Sequence, residues 1–123
     1  FNFYNIGATH ATTYSPALNG LKWASEGSTY MRPWNNRYKS IVGGGTYIGN
    51  NYINRGQNTI YLEKFNVTPN NTYGHQYMAN VEVGSAESNK TKNAYGGMLD
   101  SAPIVFSIPV YNNMPSSASA IPR

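Results

Sequence analysis

Asn50-Asn51-Tyr52-Ile53-Asn54-Arg55-Gly56-Gln57-Asn58-Thr59-Ile60-Tyr61 is the stretch around which this chain is organised. It joins an expected helix to a polar turn and then to a second ordered segment. Upstream, Tyr38, Ile41, Val42, Gly45, Ile48, Gly49, Tyr52 and Ile53 recur at steps of three and four, which places them on one helical face. Gly43, Gly44, Gly45 and Gly49 fall inside that pattern, and each costs a helix about 1 kcal/mol relative to alanine. A helix survives there only if the glycines admit another backbone or a ligand at close range. Asn54-Arg55-Gly56 then reads as a helix stop, with Gly56 free to take positive φ. Beside the stop, Gln57, Asn58 and Tyr61 offer amide and phenol groups, a chemistry suited to sugar hydroxyls and N-acetyl groups rather than metals or phosphates.

Composition narrows the function classes. With 123 residues the chain is one small domain or part of a larger one. The absence of cysteine removes disulfides and thiolate metal sites, and His10 and His75 alone make a poor zinc site. No metal or cofactor is expected. No apolar run reaches the ~18–20 residues of a membrane span, and no signal peptide opens the chain. Its start at Phe1 rather than methionine suggests a mature, cleaved or excised piece. Charged residues are 11% of the total, against a usual share of about 25%, and eleven tyrosines stand among many Asn, Ser, Thr and Gly. Such a weakly charged polar surface fits secreted proteins that handle carbohydrate. The net charge of +4 serves either solubility or attraction to an anionic polymer such as cell wall. Nucleic acid is not expected as a partner, because Lys22, Arg32, Arg37, Lys39, Arg55, Lys64, Lys90, Lys92 and Arg123 are scattered.

From the N-terminus, the apolar and aromatic opening Phe1 to Ala8 looks like a segment that belongs inside a core. His10 lies in a polar loop and reads as solvated. Ser15-Pro16 fits an N-cap followed by proline at the first helical position, with Ala17, Leu18, Leu21 and Ala24 on one side and Glu26-Gly27 closing the helix. Ser28 to Asn36, with Tyr30, Met31, Pro33 and Trp34, is either a loop packed by large rings or a wall on which sugars stack. Thr68-Pro69-Asn70-Asn71-Thr72 is a strong turn signal. A helix-like stretch is expected from Met78 through Val81 toward Ser88, then a polar linker from Lys90 to Gly97. Ile104 to Tyr111 is β-branched and aromatic, but Pro103 and Pro109 restrict it to an edge or extended segment. Residues 116–123 read as a linker or tail.

Catalytic chemistry is not legible in these residues alone. Glycoside hydrolysis usually needs two carboxyl groups, and the five acids are Glu26, Glu63, Glu82, Glu87 and Asp100. None stands in a motif that buries it. Glu63 beside Lys64 and Glu87 near Lys90 read as surface charges, and Glu82 could face either way.

Taken together and in order, Asn2 to Ala8, Gly44 to Tyr61, Leu62-Glu63-Lys64-Phe65-Asn66-Val67, His75-Gln76-Tyr77-Met78 and Phe106 to Pro115 resemble one family. They are similar to the glucosaminidase domain of large bacterial autolysins, the endo-β-N-acetylglucosaminidases of glycoside hydrolase family 73. The resemblance covers residues 1–115. It implies a mainly α (α+β), lysozyme-like fold, here an incomplete domain with a short extended C-terminal segment. It also implies a secreted, cell wall-associated enzyme that cuts the β-1,4 bond after N-acetylglucosamine in the peptidoglycan glycan strand, without metal, cofactor, membrane or nucleic-acid partners. Its substrate-binding residues would be Gln76, Tyr77, His75, Tyr61, Gln57, Asn58, Asn2 and Tyr4, with Gln76 and Tyr77 positioning the N-acetyl sugar or a water. The family's general-acid glutamate ends a helix upstream of the motif that starts here at Asn2. It would therefore precede Phe1, and the N-terminal part of the same domain becomes the expected partner. Packing is the competing account for Tyr4 and Tyr61, and backbone bracing for Asn2, Asn58 and His75. The rival functions are a non-catalytic cell-wall glycan-binding module and a structural subunit that keeps the fold without the chemistry.

Overall fold

The computed structural model describes residues 1–10, 13–69, 74–77, 80 and 82–117. Its helices are α1 (Pro16–Ser25), α2 (Arg37–Asn51), α3 (Ile60–Lys64) and α4 (Val83–Tyr95), with single 3-10 turns at Thr29–Met31, Ile53–Arg55 and Gly96–Asp100. Among the described residues there is no strand, so the fold is mainly helical. Nor is any helix among them long and apolar enough to cross a membrane.

Local chemistry sets most of the boundaries. Ser15 caps α1 by accepting from the Leu18 amide, with Pro16 at the first position, as its sequence predicts. Asn36 and Thr59 cap α2 and α3 in the same way. After α2, Gly56 takes φ 98° and stops the chain where the Asn54-Arg55-Gly56 signal placed the break. The helix expected toward Ser88 begins at Val83 and runs on to Tyr95, so the residues read as a linker from Lys90 belong to α4. Ser88, Asn89, Thr91 and Asn93 are weak helix formers, so the helix here runs against local propensity, with most of its polar side chains exposed and Lys90 held by Glu87 one turn back. Residues 104–111 form no regular element, with Val105 90% exposed. The expected turn at Asn70 to Thr72 and most of the tail from 118 lie outside the described residues.

The core is small. Ile6, Ala24 and Trp34 are its buried apolar residues, with Tyr4, Trp23, Tyr47 and Ile48 packed against them. Trp34 is 2% exposed and donates through its indole Nε1 to the Tyr30 carbonyl oxygen at 2.8 Å. Trp23 meets both Trp34 and Tyr47 edge-on, and Tyr30 meets Tyr47 likewise. The segment 28–36 is thus a loop packed by its rings, and the sugar-stacking alternative loses Trp34.

Two of the four glycines of α2, Gly43 and Gly44, admit close neighbours as expected, whereas Gly45 meets only ordinary contact, Gly49 meets nothing within 4 Å, and the apolar stripe is not the buried face. A Cβ on Gly43 would overlap the Tyr30 carbonyl oxygen, and one on Gly44 the ring of Tyr4. Close approach to a backbone and to an aromatic face is what their absent side chains permit. The buried face of α2 is accordingly Ser40, Gly43 and Gly44. Tyr38 is 66% exposed, and Ile41 and Val42 are exposed as well. The same reversal occurs on α1, where Asn19, Gly20 and Ala24 are buried while Leu18 and Leu21 are exposed. Small residues let the backbones dock, and the large apolar side chains point elsewhere.

Candidate functional site

A cleft of about 990 Å³ opens between the N-terminal loop, the end of α2, α3 and α4. Four tyrosines line it, Tyr4, Tyr47, Tyr52 and Tyr77, together with Glu63, Asn80 and Glu87. Each reaches the cleft for a local reason. Asn2 ties the N-terminal loop down: its Nδ2 donates to the Ile6 and Gly20 carbonyls, and its Oδ1 accepts from the Ile6 amide. That loop then lays Tyr4 on the glycine face of α2. Tyr77 hydrogen-bonds the Tyr4 carbonyl at 3.0 Å and meets Tyr52 edge-on.

The eight residues expected at the site divide into walls and braces. Tyr4 and Tyr77 line the cleft. Gln57, 3% exposed, faces inward: its Nε2 donates to the Leu62 and His75 carbonyls, and its Oε1 lies 3.0 Å from His75 Nδ1. His75, held at φ 54°, stacks on Tyr52 with ring centroids 4.4 Å apart. Gln57 and His75 therefore lock the 74–77 segment behind the cleft wall, a bracing role like that of Asn2. Gln76 is exposed beside this wall and accepts from Lys64 Nζ at 3.2 Å. Tyr61 meets Tyr111 hydroxyl to hydroxyl, which joins α3 to the C-terminal stretch rather than to the cleft. Asn58 is exposed and makes no wall of the cleft.

Glu63 is the residue that sequence reasoning missed. Read as a surface charge beside Lys64, it is instead half-buried on the cleft wall, while Lys64 turns inward and becomes almost fully buried. Burial, and then the carboxylate of Glu87 across the cleft, push the Glu63 carboxyl above its ordinary range. The same desolvation, with Glu63 nearby, raises the phenols of Tyr52 and Tyr77, the latter to about 12. Glu87 lines the cleft too, yet keeps the expected surface pairing with Lys90 at 2.9 Å. The one sequence signal for Glu63 was its place in the first turn of α3 just after the Thr59 cap, visible once that helix is known.

Every described polar side-chain atom that is buried has a partner. No grouping of three His, Asp or Glu among the described residues could hold a metal ion. What the cleft offers is neutral hydrogen-bonding hydroxyls, aromatic faces and carboxyl groups. This suits an uncharged polar ligand with apolar ring faces.

The chain is 28% identical over 109 residues to the bifunctional autolysin of Staphylococcus epidermidis, covering 89% of this chain and 8% of that protein. It is 31% identical over 93 residues to the bifunctional autolysin of Staphylococcus aureus, covering 76% of this chain and 7% of that one. The chain is thus a relative of bifunctional autolysins and spans less than a tenth of their length. No family model matches it, and no solved structure matches it.

Proposed function

We propose that this chain forms part of the catalytic domain of a secreted, cell wall-associated peptidoglycan hydrolase. The domain is lysozyme-like and acts as an endo-β-N-acetylglucosaminidase on the β-1,4 bond after N-acetylglucosamine. The observation that carries this reading is the meeting of Tyr4 and Tyr77. Two of the segments that resemble the glucosaminidase family, 73 residues apart, come together on one tyrosine-lined cleft. The relatedness to bifunctional autolysins supports the same substrate class.

The rest of the site is supplied by polypeptide preceding Phe1, which contributes the glutamate that protonates the departing sugar. The exposed apolar surface supports such a second body. Phe1, Leu18 and Leu21 border a hollow of about 550 Å³, and Tyr38, Ile41 and Val42 leave one face of α2 uncovered. Only three apolar side chains among the described residues are buried, so these exposed ones offer a face that a second body could cover. Tyr4 and Tyr77 form the sugar-facing walls, and Gln76 reaches over the rim to orient the acetamido group or the attacking water.

The test compares this chain with the longer polypeptide that includes the preceding residues, scoring new reducing ends released from purified peptidoglycan. The longer form is expected to release ends bearing N-acetylglucosamine, this chain alone to release none, and Tyr77→Ala and Gln76→Ala in the longer form to lose at least about ten-fold in turnover. Release by the 123-residue chain alone overturns the split site. Glycan binding without cleavage by either form points instead to a non-catalytic wall-binding module.

A further inference from the structure

We infer that Glu63 orients the ligand in this cleft together with Gln76, its carboxylate accepting a hydrogen bond from the acetamido N–H of an N-acetylated amino sugar. The inference rests on the carbohydrate reading above and deepens it by assigning the acetamido group a partner. Glu63 lies on α3 and forms part of the wall with Tyr52 and Tyr77.

The surrounding charges explain why this carboxyl is ready for a ligand. From α4 it faces Glu87, which already holds Lys90. From the end of α2 and from the 74–77 segment it faces the phenols of Tyr52 and Tyr77. On its own helix, Lys64 is drawn to Gln76 instead. Among the described residues, no lysine, arginine or histidine lines the cleft. Among the described residues the Glu63 carboxyl has neither an ion pair nor a hydrogen bond, although it is half-buried.

Group chemistry then selects the ligand. Tyrosine hydroxyls donate or accept, so they satisfy sugar hydroxyls in either sense, whereas an amide N–H only donates. An ionised carboxylate is the strongest acceptor the cleft can offer it. Two acidic side chains with no lining cation disfavour anionic ligands such as phosphate esters. A neutral amide donor meets no such repulsion. Because burial holds Glu63 above its ordinary range, and the ligand's N–H favours the charged form, affinity should rise as pH rises through the titration of Glu63.

The experiment is calorimetric titration of the longer polypeptide that includes the residues preceding Phe1, with an N-acetylglucosamine tetramer and with the matching glucose tetramer, which carries a hydroxyl in place of each acetamido group. The wild type should prefer the acetylated oligomer, more so toward neutral pH. Glu63→Ala should weaken that oligomer about ten-fold and leave the glucose oligomer unchanged. Glu63→Gln, whose amide oxygen can still accept, should recover most of the affinity and lose the pH dependence. Should Glu63→Ala fold poorly, the pH profile of Glu63→Gln decides: a profile that still follows the wild type overturns the inference. A wild type that discriminates the two oligomers while Glu63→Ala discriminates equally well removes Glu63 and leaves the carbohydrate cleft standing. A wild type that binds neither oligomer overturns both. Tighter binding of a free-amine glucosamine tetramer than of the acetylated one also overturns it, since the carboxylate would then be reading a cation.

Discussion

The phenol of Tyr77 donates to the carbonyl oxygen of Tyr4 at 3.0 Å, and by this bond the first turn of the chain is fastened to a segment 73 residues later. Tyr77 is half-buried, so its hydroxyl closes a cleft wall and partly satisfies a backbone acceptor at once. Wall and fastening are one contact.

Tyr77→Phe removes that donor and keeps the edge-on packing against Tyr52. We expect a loss of about 1–2 kcal/mol in urea unfolding, the usual cost of one partly buried hydrogen bond whose acceptor is left behind. An unchanged midpoint would mean that water takes over the Tyr4 carbonyl.

Alkali should weaken the fold through the same residue. The Tyr77 phenol is raised to about 12 in the folded chain, first by burial and then by Glu63, Tyr52 and Tyr4. Folding therefore holds a proton that the unfolded chain releases near pH 10, and the stability linked to it, complete below about pH 10, fades as pH climbs toward 12. Ultraviolet difference absorbance during alkaline unfolding should show a steeper loss for wild type than for Tyr77→Phe over that window.

Glu63 gives the corresponding signature in acid. Its folded carboxyl is raised by burial and by Glu87, so the stability linked to the bound proton is present below its unfolded value and lost as pH rises through the folded one. Glu63→Gln cannot lose that proton. Its melting temperature should gain on wild type as pH moves from about 4 to about 7, and a constant offset across that range would contradict the buried carboxyl.

Two glycines of one helix should respond with opposite sign. Gly43→Ala drives a methyl into the Tyr30 carbonyl and the Trp34 indole, and should cost about 1–3 kcal/mol or more. A Cβ at Gly49 meets nothing within 4 Å, so Gly49→Ala should stabilise by about 0.4–1 kcal/mol through helix propensity and a less disordered unfolded chain. Chemical denaturation of the pair checks both signs at once.

Gln57→Leu keeps the volume but strands the Leu62 and His75 carbonyls and the His75 ring nitrogen. A destabilisation of about 1–3 kcal/mol is expected, with loss of the Tyr52–His75 stack in the aromatic region of the proton spectrum.

What could be read from the residues was local. Ser15-Pro16 and Gly56 announced their helix ends because caps and left-handed stops depend on one or two neighbours. Gly43 and Gly44 announced a close approach, but not that Tyr30 and Tyr4 would be what approached. Leu18, Leu21, Tyr38, Ile41 and Val42 misled because periodicity identifies an apolar face without saying which polypeptide covers it. The family resemblance singled out Tyr4 and Tyr77, and both line the cleft. Gln57 and His75 brace the 74–77 segment, the account the sequence had held open for His75 but not for Gln57, since an amide that braces backbone and one that binds sugar have the same sequence signature. Glu63 was hidden because its environment is assembled from α4 and the 74–77 segment, both remote in sequence.

Trp23 and Trp34, with ring centroids 5.2 Å apart, give this chain an optical reporter. The indole of Trp34 is sealed, while that of Trp23 lies under the Arg32 guanidinium at 4.0 Å. Iodide should quench the intrinsic emission only weakly while the ring cluster is intact. Loosening around the proline-containing loop would therefore strengthen the response to quencher, and because Tyr47 touches Trp23 and also lines the cleft, the same signal reports on that wall.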